Sequence, residues 1–178
     1  MLAKTTKELG LTRDSLIETL QQIPDALFNT VPFETSWTPG QVAEHILKFV
    51  NGSYQLLHAP ASESDRDPAA KIETIRSIFL DFSSKYKSPA SVEPGSDQVN
   101  KTQIIQSLRE VFDQISQTIG RVPMDLTCTV FELPGVGLLT RWEWVWFAIY
   151  HSQRHIRQLQ NINTTFNQAA GAPSSSNY

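Results

Sequence analysis

The chain has 178 residues, 40% hydrophobic and 19% charged, which suits one soluble globular domain. At this length roughly 70% of the unfolded surface can be buried, so neither disulfides nor a structural metal are needed for folding. Eighteen acidic residues face 15 basic ones, for a net charge of −3, and no basic block stands out, which speaks against a nucleic-acid partner. The single cysteine, Cys128, excludes a disulfide framework within the chain. No stretch nears the ~20 apolar residues of a membrane span, and MLAKTTKELG has no apolar signal region, so a cytoplasmic protein with no membrane partner is expected. Asn163-Thr164-Thr165 matches the glycosylation pattern, but nothing directs the chain out of the cell.

Along the chain, Thr5 and Glu8 form a weak capping pair, followed at helical spacing by Leu9, Leu16, Leu20 and Ile23. In WTPGQV, Thr38 can cap, Pro39 suits the first helical position and Gln41 stands third, with Trp37 and Val42 as a hydrophobic staple. Val42, Ile46, Phe49, Ser53 and Leu56 continue that helix. Asp67-Pro68 reads as another start, with Ile72, Ile75, Phe79, Phe82 and Tyr86 behind it. Pro89, Pro94 and Gly95 make 87–99 a loop. Asn100 caps the next helix, with Gln103 third, Val99 and Ile104 as the staple, and Leu108, Val111, Ile115 and Ile119 following. Residues 120–137 read as a loop, within which CTVFEL can briefly extend. Thr140 and Glu143 make a second capping box, with Leu139 and Trp144 as its staple. The small, polar tail from Ala169 is expected to be loose.

The expected fold class is therefore all-α. Four long helices and one shorter crossover helix must bury their apolar stripes against each other, which makes a bundle. The long stretch 59–99 allows a crossover in place of a simple up-down hairpin.

The last helix carries the most specific signal, HSQRHIRQLQ. His151 and His155 are four apart, hence about 40° apart around a helix and about 6 Å along it, and both point the same way. They extend a stripe that holds Trp144, Ala148 and Leu159, so they should face the bundle interior. Two imidazoles fall short of the three protein ligands usual at a catalytic zinc. His45 shares a stripe with Phe49, Gly52 and Leu56 and is the third candidate ligand; His58, about 220° away and beside Ala59-Pro60, is a bystander. Spacing alone leaves another account open, in which inward histidines bond a carbonyl or a tyrosine such as Tyr54 or Tyr150. Trp142, Trp144 and Trp146 cannot share one helical face, and core packing is their first explanation.

Two motifs, SWTPGQVAEHI at 36–46 and LLTRWEWVWFAIYHSQRHIRQLQNI at 138–162, together resemble the DinB-like (DinB/YfiT) superfamily. The first is similar to that family's tryptophan-led second helix with its single histidine, the second to its final helix. The resemblance implies a four-helix bundle of up-down-down-up type, often dimeric, over residues 1–165, leaving 166–178 as a flexible tail. It also implies a divalent metal, zinc or nickel first and manganese or iron next, held by His45, His151 and His155. Some members transfer low-molecular-weight thiols such as bacillithiol or mycothiol; many have no established reaction. The family's name does not imply DNA binding.

Three functions follow as alternatives: transfer of a small thiol, hydrolysis of a small molecule, and metal binding without catalysis in an interaction bundle. Arg141, Arg154 and Arg157 are the cations near the motif for a thiol's carboxylates. Glu44, Glu132 and Glu143 are the carboxylates to consider as a base. Gln158, one turn beyond His155, suits a residue that orients a ligand or lines a pocket. Cys128, in LTCTVF, is expected to be packed instead of nucleophilic.

Overall fold

The computed structural model describes residues 1–84 and 90–171. Among them are five α-helices: α1 (Leu2–Gln22), α2 (Pro39–His58), α3 (Ile72–Phe79), α4 (Lys101–Thr118) and α5 (Arg141–Gly171). The strands are β1 (Ala61–Ser62), β2 (Thr127–Leu133) and β3 (Gly137–Thr140). Both α1 and α2 pack on α4 and on α5, so they stand at opposite corners of a four-helix bundle, and α3 packs against α5. The core runs through all four corners: Leu9, Leu16 and Leu20 of α1, Val42, Ile46 and Phe49 of α2, Leu108 and Ile115 of α4, Trp144 and Leu159 of α5. Each such side chain contributes about 1.5–3 kcal/mol on burial.

The capping chemistry accounts for three of the four long helices. At α2 the Thr38 hydroxyl accepts from the Gln41 N–H at 3.1 Å, and the Gln41 side chain accepts from the Thr38 N–H at 3.0 Å. At α4 Asn100 accepts from the Gln103 N–H at 3.0 Å. At α5 the Thr140 hydroxyl accepts from the Glu143 N–H at 3.2 Å, and the Glu143 carboxylate accepts from the Thr140 N–H at 2.8 Å. The fourth start is a correction. Helix α1 begins at Leu2, so Thr5 is buried inside it and donates to the Met1 carbonyl at 3.2 Å. A hydroxyl can bond back one turn within a helix as well as cap one, and here it does the former.

Asp67 is a second correction. Its carboxylate accepts from the Ala69 N–H at 2.9 Å and closes a turn, and α3 starts only at Ile72. The helix ends at Phe79, so Ile72, Ile75 and Phe79 pack inward while Phe82 lies beyond the helix, exposed. Asp81 helps end it by accepting from the Ser83 N–H at 2.9 Å. Tyr86 and residues 87–89 lie outside the described residues.

The stretch 120–137 is more ordered than a loop. Strand β2 pairs antiparallel with both β1 and β3, with Cys128 opposite Ala61 and Leu133 opposite Gly137. Pro134 and Gly135 make the turn: the Val136 N–H donates to the Leu133 carbonyl at 2.9 Å, and Gly135 has φ 78°. Proline second and glycine third is the composition that a type II turn requires. This sheet is a minor addition to an all-α bundle. At the other end, α5 runs past residue 165, with Phe166 in the core. Of the tail expected to be loose, 169–171 are helical and 172–178 lie outside the described residues.

Candidate metal centre

Because α2 and α5 pack side by side, His45 from the first meets His151 and His155 from the second. One ring nitrogen from each lies within 4.8 Å of the others, an arrangement that could hold a metal ion. Two Zn–N bonds of about 2.1 Å span at most about 4.2 Å, so this spread is within a small side-chain rotation of a ligand set. The ring centroids are 4.7 Å apart for His45 and His155, 4.8 Å for His151 and His155, and 5.4 Å for His45 and His151. His45 and His155 are buried; His151 is partly exposed.

The hydrogen bonds decide which nitrogens are available. His45 Nδ1 donates to the Val92 carbonyl at 2.7 Å. His155 Nδ1 donates to the Gln158 side-chain oxygen at 2.8 Å. In a neutral imidazole the other nitrogen then carries the lone pair. Those nitrogens, His45 Nε2 and His155 Nε2, are buried with no hydrogen-bond partner, as is His151 Nδ1. Buried polar atoms are normally paired, and these three gather in one cluster, whereas Trp144 Nε1, Trp146 Nε1 and Ser152 Oγ of α5 are buried without a partner singly. The alternative of inward histidines bonded to a carbonyl or tyrosine is thus met in half: His45 does bond a carbonyl, yet it keeps a nitrogen free. Tyr54 stands edge-on to His58 and Tyr150 lies tilted against Trp146 instead.

Burial pushes the three histidines down from the usual imidazole range, His45 by burial chiefly and His151 by burial and then by His155 and His45. His155 falls to about 3, through burial and then the neighbouring His45. All three are therefore neutral at pH 7, the state a metal ligand needs. An aromatic wall surrounds them. Phe49 stacks on His151 at 3.9 Å and 12°, Phe79 and Phe147 stand 4.6 and 5.2 Å from the same ring, and Trp37 stands 5.1 Å from His45.

The other candidate residues are committed elsewhere. His58 is exposed at the end of α2, 3.5 Å from the Thr118 hydroxyl. Glu143, fully buried, accepts from both Arg66 terminal nitrogens at 2.7 and 2.6 Å and from the Lys71 N–H at 2.9 Å. Glu44 pairs with Lys48 at 2.8 Å and accepts from the Gly95 N–H at 3.0 Å; Glu132 is exposed on β2. Arg141 is buried and donates to the Pro123 carbonyl at 2.9 Å. Arg154 donates to the carbonyls of Asp81, at 2.6 Å, and Ser84, tying the end of the crossover to α5; Arg157 is exposed. Cys128 is buried, with its thiol donating to the Leu56 carbonyl at 3.1 Å and pushed up by burial. Trp144 and Trp146 are core residues and Trp142 is partly buried against the core.

Sequence reasoning passed over Val92, Phe79 and Trp37 as parts of the site. Phe79 was legible only as a stripe residue of a crossover helix, and Trp37 only as a staple. Val92 acts through its carbonyl, which carries no side-chain signal at all.

Fold and cluster together define a helical bundle with three histidines gathered between two of its helices. The chain belongs to the DinB superfamily, whose sequence profile matches residues 8–159. It is 23% identical over 169 residues to the uncharacterized protein YuaE of Bacillus subtilis (strain 168), covering 90% of this chain and all of that one. The crystal structure of TT2238, a four-helix bundle protein, superposes with a TM-score of 0.55 at 20% identity, covering 90% of this chain and 99% of that chain. No helix among the described residues is long and apolar enough to cross a membrane.

Proposed function

We propose that this protein binds one divalent metal ion through His45, His151 and His155 and uses it to activate a low-molecular-weight thiol for transfer. The observation that carries this reading is the convergence of three neutral imidazoles whose buried nitrogens lack partners. Zinc and nickel suit three nitrogen ligands best, with manganese and iron next. A divalent ion held by these three histidines would supply a Lewis acid able to lower the pKa of a thiol or water.

The chain's own residues prepare that chemistry. Val92 and Gln158 fix the tautomers of His45 and His155, so that each offers Nε2. Phe49, Phe79 and Phe147 pack round His151 and cover much of its ring. Hydrolysis has less support, because two of the three candidate bases are held elsewhere, Glu143 by Arg66 and Lys71 and Glu44 by Lys48 and Gly95, and the third, Glu132, stands exposed on β2. A thiol brings its own acidic proton and asks less of a protein base. The same reading takes the protein as a cytoplasmic homodimer acting on a small molecule, as the composition and the resemblance suggest.

The test is to load the protein with cobalt(II) and add small thiols, cysteine and glutathione among them. A thiol-dependent change in the cobalt absorption spectrum, absent from a variant lacking the three histidines, is expected. A cobalt spectrum that no thiol alters would overturn the thiol reading.

A further inference from the structure

One face of α2 does more than carry a ligand. Gln41, Glu44, His45 and Lys48 stand at intervals of three, one and three residues, which places them on a single stripe of the helix. All four bond the backbone of the same short segment, 92–95. His45 Nδ1 donates to the Val92 carbonyl at 2.7 Å and Lys48 to the Glu93 carbonyl at 2.8 Å. Glu44 accepts from the Gly95 N–H at 3.0 Å, and Gln41 donates to the Gly95 carbonyl at 3.0 Å. Glu44 and Lys48 also pair with each other at 2.8 Å. The Gln41 side chain is shared, since its oxygen completes the Thr38 capping box. The segment follows a single 3-10 turn, Ala90–Val92, and precedes the Asn100 cap of α4, so no regular helix or strand holds it in place.

We infer that Glu44 and Lys48 are positioning residues for His45. They anchor 93–95, which holds the Val92 carbonyl against Nδ1, and that bond keeps the proton off Nε2. Resting on the metal-site reading above, the inference adds that metal affinity depends on two charged residues that touch no ligand atom. Loss of a ligand's direct hydrogen-bond partner, here the Val92 carbonyl, commonly costs about 10–100-fold in metal affinity, and that range applies to the extent that loosening 93–95 frees this carbonyl.

The experiment uses the full chain. The variant Glu44→Ala/Lys48→Met is compared with the parent, with Glu44→Gln, and with Glu73→Ala, which removes an exposed ion pair on α3. Two readouts are taken: zinc affinity by competition with a chromophoric chelator, and the His45 tautomer by nitrogen-15 NMR of the metal-free protein. Expected are an Nδ1–H tautomer in the parent, a mixed tautomer in the double variant, and zinc affinity there lower by about 10–100-fold. Glu44→Gln, which keeps an acceptor for the Gly95 N–H, should retain most of the affinity, and Glu73→Ala all of it. A double variant that keeps the Nδ1–H tautomer, or parental affinity, would overturn the inference. A parent that shows the Nδ1–H tautomer and binds no zinc would overturn the metal reading and leave the positioning of His45 standing. The tautomer is a readout that general destabilisation does not move so long as the protein is folded.

Discussion

Helix α5 carries a buried carboxylate in its first turn and a histidine pair further on, and the two are bonded in opposite ways. In its first turn Glu143 is wholly buried and fully bonded, by both Arg66 terminal nitrogens and by the N–H groups of Lys71 and Thr140. Two and three turns on, His151 and His155 meet His45, and each of the three keeps a buried nitrogen with no partner. A buried charge costs several kcal/mol unless paired, so Glu143 with its ring of donors reads as architecture. Its donors come from the 66–71 segment and from β3, and it therefore fastens the crossover and hairpin to the bundle. The histidines have been left unbonded in the one direction where they converge. Trp144 Nε1, Trp146 Nε1 and Ser152 Oγ of the same helix are also buried without a partner, so what sets the histidines apart is that three ring nitrogens converge within 4.8 Å, which supports the proposed metal.

That contrast can be broken from either side. Glu143→Ala should cost about 1–3 kcal/mol for each of the two backbone N–H groups it strands, those of Lys71 and Thr140, while Arg66 keeps the Asp67 and Leu138 carbonyls; chemical denaturation would show it, and the folded fraction should still bind metal. If the variant instead kept its stability and lost metal, the two regions would have exchanged roles.

Acid should act on the histidines. Their pKa values are depressed in the folded protein, so the unfolded chain takes up protons first as pH falls. Stability of the metal-free protein is then full above about pH 6.5 and drains away towards pH 3, with His155 alone accounting for about 2 kcal/mol by pH 5. Urea titrations at pH 7.5, 6 and 5 would measure it; a flat profile would mean the cluster is not buried neutral. Bound zinc should push the loss to lower pH, since metal and proton compete for the same nitrogens.

Gln158→Leu sharpens the comparison at a single bond. It removes the acceptor from His155 Nδ1 and should lower metal affinity about 10–100-fold, while costing the metal-free protein about 1–3 kcal/mol for the stranded N–H. The smallest effect belongs to Gly52, on the His45 stripe. A Cβ there meets nothing within 4 Å, so Gly52→Ala should stabilise α2 by about 0.5–1 kcal/mol and leave metal binding unchanged. A loss of metal would show that the glycine serves the site after all.

The histidine trio was readable because the helical period is regular. Once Thr38 and Thr140 fix where α2 and α5 begin, residues 45, 151 and 155 fall on inward faces, and the family resemblance names the same three. Gln158 was readable for the same reason. What stayed hidden depends on backbone: the Val92 carbonyl that orients His45, and the pairing of β2 with Ala61, which is 67 positions from Cys128. The β2–β3 hairpin had a local signal in Pro134-Gly135 that the surrounding loop residues masked. Thr5 and Asp67 misled because one hydroxyl or carboxylate bonds equally well in a cap, a turn or a helix interior, and only the following residues decide.

The most direct test is metal content. The parent protein, untagged and purified without a nickel column, should carry close to one equivalent of a divalent metal or take it up on loading. A folded variant lacking His45, His151 and His155 should carry almost none. A parent that remains metal-free after exposure to zinc, nickel, manganese and iron would contradict the account, and the three orphaned nitrogens would then be a polar seam in a helical bundle.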